Sequence, residues 1–248
     1  MRIVEGSRDS ARETKLMEKR EKTFRDITPE DLLGPLNDVE RKYAPSKLYI
    51  SGPMEIPLPR PRVAIVRSRK ASARGLEAAA EIAGRLSIKK VVIVSGLAEG
   101  IDSAAHKSTI ETGGQTIAVL GTPLDKVYPR KNTTLQEEIM NKHLAVSQFA
   151  VGHSVERTNF VLRNRTMALN SNASIIVEAG ESSGSLHQGL EALRLGRQLF
   201  IWKSIQNNTS LKWPRELMKY GALKLDDAEQ VMDVLPSSEK VIRITVQH

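Results

Sequence analysis

The sequence predicts an α/β fold with a doubly wound, mainly parallel sheet of the extended Rossmann-like kind, preceded by a short helical and irregular extension. Three observations lead there. From residue 62 onward short, continuous apolar runs recur, as in strands buried on both faces of a parallel sheet. Helical patterns fill the intervals between them. Several of the runs lead straight into turns bearing glycine and serine, the punctuation of strand-to-helix connections.

Taken in order, residues 1 to about 25 are dense in mixed charge with few large apolar side chains, the composition of a frayed helix or disordered tail. Thr28-Pro29-Glu30-Asp31 reads as an N-cap followed by proline at the first helical position, so a short helix is expected to start there. The stretch Tyr49 to Pro61 contains four prolines and one glycine. It is expected to wrap the edge of the following domain and not to form a central strand. Strands are placed at Val63–Val66, Val91–Val94, Thr116–Leu120, Ser174–Glu178 and Leu199–Trp202. Helical patterns fall at about Ser72–Leu86, Glu99–Thr112, Thr133–Asn141, Phe160–Ser171, Ser185–Leu195 and Ser210–Lys219. Such alternation implies right-handed crossovers and a ligand site outside the carboxyl ends of the strands. The expected division is a charged extension over 1–44, the α/β domain over 45–225 and a tail over 226–248.

Composition narrows the function. The 248 residues include no cysteine, which removes disulfides and thiolate metal sites and fits a reducing cytoplasm. No apolar stretch is long enough for a membrane span, and the start lacks a signal-peptide h-region, so a cytoplasmic protein without membrane attachment is expected. The formal net charge is +8 with a pI near 9.7. Residues 1–61 hold 12 Lys/Arg against 11 Asp/Glu, so the excess sits almost wholly beyond them. A basic excess favours polyanions through counterion release. With aromatic residues at only 4% of the chain, nucleic acid would be held by its phosphates more than by stacking.

Three polar turns follow on strands: Arg67-Ser68-Arg69-Lys70, Ser95 to Asp102, and Glu178 to Ser185. Glycine and serine there let backbone approach a phosphate, and free N–H groups at a helix start face an anion. Glycine is also what any tight turn with φ > 0 needs, so each turn taken alone has that plainer explanation. None has the GxGxxG or GxxxxGK[ST] spacing of a dinucleotide or P-loop site. Arg163, Asn164 and Arg165, at the start of a helical pattern, are further candidates, either for a groove or for surface salt bridges. The histidines show no HExxH or paired-ligand spacing, Asp102 is read as bracing its turn, and Ser185 is not in a GxSxG elbow. No catalytic constellation, metal site or cofactor is expected.

These residues also carry a resemblance. Val63 to Ser72 resembles the VAIVGSRKAT strand and turn of the DprA/Smf family (DNA processing protein A), and Ser95 to Asp102 with Ala104-Ala105-His106 resembles its SGLARGIDAAAH. Ile117 to Gly121 with Leu124-Asp125, Tyr128-Pro129 and Asn132 is similar to IAVLGxGLDxxYPxxN. Phe160 with Arg163-Asn164-Arg165 is similar to FxxRNR. Glu178-Ala179 followed by Ser183-Gly184-Ser185-Leu186, then Gly196-Arg197, follows EAxxxSGSL and GR, and Asn208 with Gly221-Ala222 echoes the closing N and GA. The match runs in order over roughly residues 45 to 225. Two positions depart from it: Arg67 stands for the glycine of GSR, and Glu99 for the arginine of SGLARGID. No helical interaction module is recognisable before residue 45, and no winged helix after 225.

The resemblance implies non-catalytic binding of single-stranded DNA, homodimerisation, and loading of a RecA-type recombinase onto incoming DNA in natural transformation. Arg67, Arg69, Lys70, Lys107, Arg163 and Arg165 would supply charge. Ser68, Gly96, Asn164, Ser183, Gly184 and Ser185 would supply polar donors. Sequence specificity is not expected from phosphate contacts. As a surface charge, Arg163 is expected to leave the melting temperature nearly unchanged when replaced by alanine. The rival is a nucleotide-binding or nucleotide-cleaving LOG-like protein, whose PGGxGTxxE spacing Gln188 and Glu191 do not reproduce.

Overall fold

The computed structural model describes residues 24–66, 71–181, 184–206, 208 and 210–236. The hub is β3 (Arg62–Val66), every residue of which is buried. Val63 and Ile65 enter the core on one face of the sheet, while Ala64 and Val66 enter the core on the other. Because both faces are covered, the strand is apolar at successive positions from Val63 to Val66 instead of alternating, and β4 (Val92–Ser95), β5 (Thr116–Leu120), β7 (Ala173–Ile176) and β8 (Gln198–Trp202) are likewise mainly apolar on both faces. These lie within two residues of their expected positions.

Four strands were not foreseen: β1 (Arg25–Ile27), β2 (Leu48–Ser51), β6 (Leu144–Ser147) and β9 (Leu223–Leu225). Each is only three or four residues long, and none holds adjacent β-branched residues of the kind that mark β4 and β7. The order among the described residues is β1-β2-β6-β5-β4-β3-β7-β8-β9, antiparallel at β1–β2 and β2–β6 and parallel elsewhere. The edge-wrapping reading of Tyr49 to Pro61 is therefore corrected at its start. Tyr49 and Ile50 pair with β1 on one side and β6 on the other, Ser51 pairs with β6, and the prolines all fall after the strand.

The helices are α1 (Pro29–Leu33), α2 (Asp38–Tyr43), α3 (Ala73–Ile88), α4 (Ile101–Glu111), α5 (Thr133–Lys142), α6 (Arg157–Leu169), α7 (Gly184–Arg194), α8 (Lys203–Gln206) and α9 (Trp213–Lys219). Thr28 caps α1 as its sequence suggests, its Oγ1 accepting from Asp31 N at 3.1 Å. Leu32, Leu33 and Leu36 then join the same core as Leu48, Ile50 and Val94. No helix among the described residues is long and apolar enough to cross a membrane.

One buried cation fastens the proline-rich segment to the sheet. Arg62 is 1% exposed. Its Nε donates to Asn170 O at 2.8 Å, and its Nη1 donates to Leu58 O at 2.9 Å and Pro59 O at 3.1 Å. Burial lowers its pKa, reinforced by Arg60 and Arg197 and opposed by Glu40.

Candidate nucleic-acid interface

From β3 the chain steps outward through β4, β5 and β6, then returns to the other flank of β3 at β7. The topological switch point, where such sheets open a crevice for ligands, lies between the carboxyl ends of β3 and β7. A side chain of this protein already spans it. Glu178, two residues past β7, accepts a hydrogen bond from Ser72 N at 2.8 Å at the start of α3. A Cβ on Gly75 would lie 2.2 Å from Glu178 Oε2, so glycine is what lets the carboxylate settle over that first turn. Ser72 Oγ accepts from Gly75 N at 3.0 Å. The helix start, where a nucleotide phosphate would sit, thus holds an internal anion.

The turn after β4 is stitched from within. Ala98 N donates to Asp102 Oδ2 at 3.2 Å, Ser103 Oγ donates to Ala98 O at 2.7 Å, and Ser95 Oγ donates to Ile65 O at 2.7 Å. Asp102 braces its turn, as the sequence suggested. Glu99 lies in this turn, before α4 begins at Ile101, and pairs with Lys131.

Arg163 is not displayed on the rim. It is 8% exposed, and its Nη1 donates to Val119 O in β5 at 3.0 Å. The guanidinium lies against Gly96, where a Cβ would fall 1.5 Å from Nη1. Both readings of Arg163, phosphate contact and surface salt bridge, give way to a buried brace beneath the turn. Gly96 is buried too, and its lack of a side chain makes room for that brace. With the guanidinium buried, replacing Arg163 is expected to lower the melting temperature instead of leaving it unchanged. Arg163→Ala leaves Val119 O without this donor, and a loss of about 1–3 kcal/mol is expected in chemical denaturation. Gly96→Ala, which evicts the same guanidinium, should cost a similar amount, and the double variant should be clearly less than additive. Full additivity would show that the two residues act independently.

The other candidates divide. Arg165 is committed to Glu191 at 3.0 and 3.3 Å and lies 5.4 Å from the Tyr43 ring centroid, which ties α6 to α7 and α2. Asn164 is 8% exposed. Lys107 is exposed, but it stands about 9 Å along α4 from the helix start at Ile101. Gly184 and Ser185 open α7. Arg67, Ser68, Arg69, Lys70 and Ser183 lie outside the described residues.

The loop after β5 carries cations that sequence reasoning passed over. It bounds a concavity of about 490 Å³ whose lining includes Lys126, Tyr128, Arg130 and Val155. Arg130 and Lys131 are exposed, as is Arg157 at the start of α6 on the same edge. Tyr128 is 61% exposed, its ring 5.3 Å from that of Phe160. Lys126 Nζ donates to His153 O at 3.0 Å. The signal was present in Lys126 and Arg130-Lys131, six to eleven residues past the end of β5.

A doubly wound α/β domain whose switch point is spanned by its own carboxylate, and whose β5 and β6 ends carry exposed cations on the same edge, defines a Rossmann-like scaffold with a basic carboxyl edge. The chain belongs to the DNA recombination-mediator protein A family, whose model matches residues 27–236. It is 41% identical over 157 residues to the DNA processing protein DprA of Streptococcus pneumoniae, covering 63% of this chain and 55% of that protein. The X-ray structure of DNA processing protein A from Streptococcus pneumoniae superposes with a TM-score of 0.71 at 31% identity, over 90% of this chain and 78% of that one. A structure of DNA processing protein A from Helicobacter pylori, described for its single-stranded DNA binding mode, shares the fold with a TM-score of 0.72 at 24% identity, over 86% of this chain and 95% of that one. The chain spans less than two thirds of the length of the curated relatives it matches.

Proposed function

We propose that this chain binds single-stranded DNA by its sugar-phosphate backbone along the carboxyl edge of the sheet, without catalysing a reaction on it. The observation that carries the reading is the division of that edge. Glu178 spans the switch point between β3 and β7, while Arg130, Lys131 and Arg157 stand exposed farther along the same edge, after β5 and β6. An edge of this kind favours a polyanion over a single nucleotide, since only a polymer reaches several cations at once. The single-stranded DNA binding described for the Helicobacter pylori relative supports the same direction. Arg67, Ser68, Arg69, Lys70 and Ser183 to Ser185 complete the proposed contact set within residues 45–225. Arg163 and Gly96 hold the floor of the edge without touching the strand. In keeping with the family's description as recombination mediators, we assign it a RecA-type recombinase partner, a homodimeric state and a cytoplasmic setting.

The test is a parallel titration with single-stranded DNA, duplex DNA and AMP. Single-stranded DNA should bind most tightly, with log K falling against log salt by about 0.7 for every phosphate neutralised. A flat salt response, or AMP competing at concentrations near the DNA Kd, would overturn the reading.

A further inference from the structure

We propose that Lys131 is a phosphate contact of this edge held in competition by Glu99, so that Glu99 sets how tightly DNA is gripped. This rests on the reading of the edge as a single-stranded DNA interface. The two side chains come from adjacent connections, Glu99 from the turn after β4 and Lys131 from the single 3-10 turn (Arg130–Asn132) after β5. Their backbones are fixed independently of the ion pair. Asn132, 7% exposed, donates its Nδ2 to Leu97 O at 2.8 Å, which joins the two connections from below. Leu97 itself has φ of 54°, a conformation that holds the turn to one path. Above this joint the pair is open to water, with Lys131 55% and Glu99 61% exposed as side chains.

An ion pair so exposed is weak, whereas a DNA backbone brings a row of anions. A phosphate arriving at Lys131 takes the place of the Glu99 carboxylate, which then remains nearby as a like charge and opposes the phosphate. Glu99 therefore acts twice against binding. It neutralises the lysine in the free protein, and it repels the phosphate in the complex. Arg130, exposed and next in sequence, continues the row of cations on the same loop.

The experiment is a double-mutant cycle on the full chain, read as affinity for an unlabelled-base oligonucleotide such as oligo-dT at two salt concentrations. Glu99→Gln should bind about threefold to tenfold more tightly at low salt, with the gain shrinking at high salt and the salt slope steeper by about 0.7. Lys131→Met in the parent chain should weaken binding less than Lys131→Met in the Glu99→Gln background, where it should erase the whole gain. Thermal melts of all variants report folding, which this exposed pair should barely move. An unchanged affinity for Glu99→Gln would overturn the proposal. So would a gain that survives Lys131→Met, because Glu99 would then act without Lys131. If the parent chain shows no salt-sensitive binding of oligo-dT at all, the interface itself is misassigned, an outcome separable from either of these.

Discussion

Arg62→Met is expected to destabilise the protein by about 3–5 kcal/mol, the range for removing one side of a buried charged hydrogen-bond group. The methionine fills similar volume but donates nothing, so Leu58 O, Pro59 O and Asn170 O lose the guanidinium that binds all three. For a chain of this size such a loss lowers Tm by roughly 6–20 °C. Arg62→Lys should recover only part, because a single ammonium cannot reach three carbonyls in the geometry of a planar fork. The measurement is urea or thermal denaturation of the three proteins. A methionine variant within 1 kcal/mol of the parent would show that the proline-rich segment is held by its apolar contacts alone.

Lowering pH from 6.5 to 5 is expected to remove about 2 kcal/mol of stability through His106, at roughly 1.4 kcal/mol per pH unit. This histidine is fully buried, and its Nδ1 lies 2.7 Å from Thr116 Oγ1. The one hydroxyl proton of Thr116 goes to Ile93 O at 2.9 Å, so Nδ1 carries the hydrogen and Nε2 is the bare nitrogen. Nε2 has no hydrogen-bond partner among the described residues, and a proton placed there would be buried without an acceptor. Burial first, then His143 and Arg163, push the pKa down to about 3. The folded value lies below the unfolded one, so the unfolded chain gains protons first. Stability is complete above the unfolded pKa of about 6.5 and drains as pH falls toward 3. Most carboxylates titrate below pH 5, which leaves the upper part of the window to histidine. His106→Leu should flatten the curve there, His143 accounting for the remainder since burial lowers its pKa as well. Parallel curves for parent and variant between pH 6.5 and 5 would refute this account.

What the sequence discloses follows the range of the interactions concerned. The Thr28 cap and the Asp102 brace are local, linking residues three or four apart, and both could be read directly. β3, β4, β5, β7 and β8 were legible because both of their faces are dry and their apolar residues run together, whereas β6, equally buried, offers only Leu144-Ala145-Val146 and was not. Gly96 was not, because what requires a glycine is the guanidinium of Arg163, 67 positions away, and nothing in the turn itself announces it. Arg163 and Arg165 looked like surface cations because charge is usually exposed, yet one is buried against a strand carbonyl and the other is shared between Glu191 and Tyr43. The cations after β5 failed to register for another reason. They stand on a longer loop with no glycine–serine turn of the kind that marks backbone donors.

The antiparallel edge bears on the order in which the chain can fold. Tyr49 is paired with Ser147 and Ser51 with Ala145, so β2 emerges from synthesis long before its inner partner β6 exists. Until then only β1 can lie beside it, and a two-stranded ribbon is marginal in water. β3, β4 and β5 follow one another at short intervals and can close as they appear, whereas the β2–β6 pairing demands a loop of nearly a hundred residues. Leu48 and Ile50 accordingly lack their inner strand until Ser147 has been made, which leaves the segment around them open to aggregation if synthesis slows or stops within that interval.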